Sequence, residues 1–89
     1  MVKKWGLYFS RDAQKDSLKL KSAGLKKKAQ ELLEVISVNS FQNPPPYERL
    51  KGDLEGAFSR RINIQHRLVY SVEKKGRIVR VLRMWTHYE

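Results

Sequence analysis

Cysteine is absent from the chain, so disulfides, thiol nucleophiles and cysteine-ligated zinc are excluded together. Imidazole is nearly absent too: His66 and His87 are the only histidines, and no metal is expected. No stretch approaches the roughly 20 apolar residues of a membrane span, and the residues following Met1 carry lysine rather than an apolar signal core. The expected location is the cytoplasm, without a membrane partner. Glycine-rich phosphate loops of the Walker or Rossmann kind, a His-Glu-x-x-His helix and a nucleophile elbow are all missing, which leaves nucleotide hydrolysis, zinc peptidase and serine hydrolase chemistry unsupported and no cofactor implied. Acidic residues are scarce: nine Asp and Glu stand against 19 Lys and Arg, a formal net charge of +10 and a pI near 10.2. Such a field suits a polyanion, either nucleic acid or an acidic protein segment.

What is present is sufficient for a folded core. The chain has 89 residues, 40% of them hydrophobic, with two Trp, four Tyr and three Phe, which fits one domain over residues 1–89. Trp5 to Phe9 reads as a short strand, and Ser10 followed by Asp12 as the cap and acidic first turn of a helix. Leu18 and Leu20, then Leu25, Ala29, Leu32, Leu33 and Ile36, form a helical pattern interrupted at Gly24, hence two consecutive helices. Pro44-Pro45-Pro46 ends helical structure and makes a stiff crossover. Three strand-like runs follow, Ala57 to Ile64, Arg67 to Glu73 and Arg77 to Met84. In the first, Phe58, Arg60, Ile62 and Ile64 share one face and Ser59, Arg61 and Asn63 the other. The order predicts an α+β domain, two helices from the N-terminal half on one face of a mostly antiparallel twisted sheet.

Polar side chains at strand positions matter because a sheet holds them at fixed separations. Arg61, Arg67 and His87 can project to a common face, and Glu48 lies on a short extended piece able to join the sheet edge. Cleavage of RNA without a metal requires a base for the 2′-hydroxyl, an acid for the departing 5′-oxygen and cations for the charged phosphorane. Glu48, His87 and the Arg61/Arg67 pair match that inventory. Each also has an ordinary alternative: solvated histidine, phosphate-binding arginine, surface glutamate. On pattern alone, binding without chemistry is the favoured explanation.

The same residues carry a resemblance. Tyr47-Glu48-Arg49-Leu50-Lys51, Leu54-Glu55-Gly56-Ala57-Phe58-Ser59-Arg60-Arg61-Ile62, His66-Arg67-Leu68-Val69-Tyr70 and His87-Tyr88 together resemble the YoeB/Txe branch of the RelE-type toxins of toxin–antitoxin pairs. The resemblance implies a microbial-RNase-like fold and a ribosome-dependent mRNA endonuclease that leaves a 2′,3′-cyclic phosphate and a 5′-hydroxyl. By position, Glu48 corresponds to the general base, His87 to the general acid, Arg67 to the transition-state arginine and Tyr88 to the terminal tyrosine near the phosphate. Lys51 and Arg61 correspond to substrate-binding residues, with Arg60 and Arg83 counted beside them. An arginine of the family pattern before the histidine is replaced here by Met84-Trp85-Thr86, and Glu89 follows the tyrosine. The partners implied are a cognate antitoxin with an acidic, partly disordered segment, the ribosome and its mRNA, operator DNA only as the toxin–antitoxin complex, and a second copy in a homodimer. A non-catalytic gyrase poison on the same scaffold, or a basic RNA-binding module, is the alternative.

Overall fold

The computed structural model describes residues 4–44 and 46–85. Ser10 stops strand β1 (Gly6–Phe9) and starts helix α1 (Arg11–Ser22). Its hydroxyl accepts from the Ala13 amide at 3.0 Å, satisfying one of the helix's orphan donors. Gly24, at φ 74°, supplies the left-handed residue that separates α1 from α2 (Lys26–Val38). Beyond the crossover come β2 (Tyr47–Arg49), a 3-10 turn at Gly52–Leu54, β3 (Ala57–Arg61), β4 (Arg67–Glu73) and β5 (Ile78–Arg83).

The five strands form one sheet in the order β1-β5-β4-β3-β2. All pairings are antiparallel except β1 with β5, which run parallel with Gly6 opposite Ile78 and Phe9 opposite Val81. Both helices cover one face: Ala13 and Leu20 of α1 and Ala29, Leu32 and Ile36 of α2 cluster with Leu68, Tyr70, Val79 and Val81. Burying each large side chain contributes about 1.5–3 kcal/mol, so this layer dominates stability. The α+β expectation and the helix stripe from Leu25 to Ile36 hold.

Two apolar members of the sequence patterns lie outside the core. Leu18 is 68% exposed, since positions 18 and 20 fall on nearly opposite sides of a helix and Leu20 takes the core. Ile64 is 90% exposed. The run ends at Arg61 rather than Ile64, because the Asn63 side chain accepts from the amides of Gln65 and His66 and turns the chain.

Candidate active site

Alternation along β3 and β4 decides which polar groups meet. Phe58 and Tyr70 are register partners on the helix side, so Ser59, Arg61 and Arg67 fall on the opposite face. Arg61 is opposite Arg67, and Ser59, two residues back, is opposite Glu48 on β2. Neighbouring and diagonal positions on one face bring long side chains into reach. Arg67 spans the diagonal: its Nη1 donates to Glu48 Oε2 at 3.0 Å and to Ser59 Oγ at 3.4 Å. Pro46, Glu48, Ser59, Arg61 and Arg67 line a cleft of about 240 Å³. The Arg67 side chain is only 15% exposed while that of Glu48 is 65% exposed, so a fixed cation sits beside a carboxylate that an incoming ligand can reach. Among the described residues no group of three or more His, Cys, Asp or Glu side chains could hold a metal ion.

Three of the expected residues, Glu48, Arg61 and Arg67, therefore share the cleft. His87 and Tyr88 lie outside the described residues. Lys51 is exposed but lines a separate hollow with Arg49, Gly52 and Glu55. Arg60 requires correction as a substrate contact: it is 1% exposed, on the helix side of β3. Its guanidinium donates to Tyr70 Oη at 3.1 Å and to the carbonyls of Ser40 and Gln42 at 3.0 and 2.9 Å. It also lies over the Tyr47 ring, 5.2 Å from its centroid, so it braces the proline crossover against the sheet. Arg83 is likewise engaged internally, its Nε donating to Asp16 of α1 at 2.9 Å.

Sequence reasoning passed over Ser59 and Asp16. Alternation with Arg61 placed Ser59 on the polar face, which was the available signal. Asp16 is 2% exposed inside α1 and accepts from Arg83 and from the amides of Met84 and Trp85, at 3.0 and 3.2 Å. Burial alone would raise its pKa; the Arg83 hydrogen bond, the two amides and the Arg83 charge outweigh that and hold it below the ordinary value of 3.8.

Two helices on one face of a five-stranded, mostly antiparallel sheet make the fold of the small RelE-like toxins, and solved structures of that class match it. The chain superposes on the YoeB/ParE toxin from Agrobacterium tumefaciens with a TM-score of 0.84 at 29% identity, covering 93% of this chain and 99% of that one. The YoeB dimer from Staphylococcus aureus gives 0.82 at 32% identity, and the YoeB–YefM complex from the same organism 0.79 at 32%, each covering 97% of this chain and 100% of that one. No curated protein sequence matches the chain significantly. The family model for the YoeB-like toxin of bacterial type II toxin-antitoxin systems matches residues 9–88, and the chain belongs to that family.

Proposed function

We propose that this toxin is a ribosome-dependent mRNA endoribonuclease that works without a metal. The observation that carries the proposal is the Glu48–Arg67 contact of 3.0 Å in an open cleft shared with Arg61. Glu48 takes the 2′-hydroxyl proton, and the 2′-oxygen attacks the adjacent phosphorus. Arg67 and Arg61 stabilise the negative charge gathered on the phosphorane oxygens. The bond to the 5′-oxygen breaks as His87 delivers a proton to it, leaving a 2′,3′-cyclic phosphate and a 5′-hydroxyl end. Tyr88 is assigned to the phosphate beside His87, and Lys51 to RNA backbone contact outside the cleft. Arg67, held between Glu48 and Ser59, needs little reorganisation when charge develops, which supports its assignment as the transition-state cation.

The partners follow from charge and kinship. A net charge of +10 suits ribosomal RNA, message and an acidic antitoxin segment competing for one surface. The YoeB–YefM complex and the YoeB dimer support a cognate antitoxin and a second copy as partners of this chain; operator DNA bound by the toxin–antitoxin complex and action in the cytoplasm belong to the same proposal. Primer extension on a translated message tests the reading. Wild type should cut within a translated codon only when ribosomes are present, and Glu48→Gln and His87→Ala should lose cleavage by about 100-fold or more while remaining folded. Full cleavage by both variants would refute the assignment; gyrase inhibition with intact message would replace it with the non-catalytic alternative.

A further inference from the structure

Asp16 is a charged residue buried in the middle of a helix, and everything it holds lies 67 to 69 positions further along the chain. A buried carboxylate is costly unless fully paired, and here its partners are the Arg83 guanidinium and two consecutive backbone amides. Ser10, six residues earlier, adds a fourth tie: its hydroxyl donates to the Leu82 carbonyl at 2.7 Å. Helix α1 thus grips Leu82, Arg83, Met84 and Trp85 in succession, at the point where β5 ends. From the other side the Trp85 indole stacks on His66 of the β3–β4 turn, with centroids 3.7 Å apart and planes 19° from parallel. In sequence, His87 comes two residues after Trp85.

From this juxtaposition we propose that Asp16 is a positioning residue for the proton donor: its carboxylate fixes the exit of the chain from β5 and thereby where His87 is presented to the departing 5′-oxygen. The inference rests on the assignment of His87 as general acid. Simple stability does not require this arrangement, since a helix core position is filled more cheaply by an apolar side chain. A carboxylate offers something an apolar residue lacks, directional acceptors that set the register of successive amides. Placement matters because an error of about 1 Å at a reacting group costs on the order of 100-fold in rate.

The test compares single-turnover cleavage of ribosome-bound message by wild type, Asp16→Ala, Asp16→Asn, His87→Ala and the Asp16→Ala/His87→Ala double variant. A second message carries sulfur in place of the 5′-bridging oxygen at the cut site, a leaving group that departs without protonation. Asp16→Ala should lose on the order of 100-fold and Asp16→Asn about tenfold, with unchanged half-saturating ribosome concentration. The double variant should be no slower than His87→Ala alone, and the sulfur message should restore cleavage to Asp16→Ala as to His87→Ala. Additive losses, or failure of the sulfur message to rescue Asp16→Ala while it rescues His87→Ala, would overturn the positioning role alone. Normal cleavage by His87→Ala would overturn the donor assignment and the positioning role with it. Where Asp16→Ala does not fold, Asp16→Asn carries the same comparisons, and its cleavage at the wild-type rate overturns the proposal.

Discussion

Arg60 and Arg61 are adjacent, chemically identical, and opposite in fate. Side chains alternate along β3, so Arg61 joins the open cleft and Arg60 enters the layer beneath the helices, where Tyr70, Ser40 and Gln42 absorb its donors. Arg60→Ala should cost about 3 kcal/mol in urea denaturation, and Arg60→Lys should not restore it, because an ammonium cannot reproduce the planar fork that meets three acceptors. Arg61→Ala should leave stability within about 0.5 kcal/mol and reduce cleavage instead. The difference was legible in the apolar neighbours Phe58 and Ile62, which share Arg60's face; the doubled arginine of the motif drew both toward substrate. Asp16 was not legible, because an aspartate within a helix ordinarily faces water and its partners lie 67 or more positions away. Its lowered pKa has a definite sign in stability. The folded form holds the carboxylate more tightly than the unfolded chain does, so the contribution is fully present above about pH 4 and disappears as pH falls through the depressed folded value. Urea midpoints measured from pH 6 to pH 2 should therefore show the advantage of wild type over Asp16→Asn shrinking below about pH 4, and a constant gap across that range would contradict the assignment.

Among the elements, α1 was read most completely, for its boundaries are set by local chemistry. The Ser10 hydroxyl caps it and also donates to Leu82, so Ser10→Ala removes two hydrogen bonds at once. The expected cost is about 1–2 kcal/mol, a drop in melting temperature of roughly 5–10 °C by calorimetry for a domain of this size. Ser10→Asp should recover the cap but not the bond to Leu82, and so lie between. The break at Gly24 was equally visible, since only the neighbouring residues decide it. Strand partnership was another matter. That Trp5 to Phe9 forms a strand followed from its composition; that it lies parallel against β5 depends on residues 72 positions away, to which no local propensity points. The Glu48 strand shows the intermediate case: three residues long, it joins β3 through register with Phe58, Ser59 and Arg60, and the site exists because that register places Glu48 opposite Ser59.

For the molecule as a whole, the excess of ten positive charges favours association with polyanions in general. Binding to single-stranded RNA should weaken log-linearly with salt, and removing one phosphate contact at Lys51 or Arg61 should reduce the slope by about 0.7; a slope unchanged in both variants would place the RNA elsewhere. Glu48, Arg61 and Arg67 were foreseeable as a set because a sheet converts sequence alternation into spatial order, whereas the ties from α1 to the end of β5 arise only when the fold closes. That closure has a further consequence for synthesis. β5 is not an edge strand; it lies between β1 and β4, and Ser10 reaches Leu82 across 72 positions. Since domains emerge from their N-terminal side, a nascent chain still holding residues 78–83 in the exit tunnel has β1 without its neighbour and α1 without its grip. Among the described strands β5 is made last, so the pairing that joins β1 to the rest of the sheet closes only after the other four strands have been synthesised.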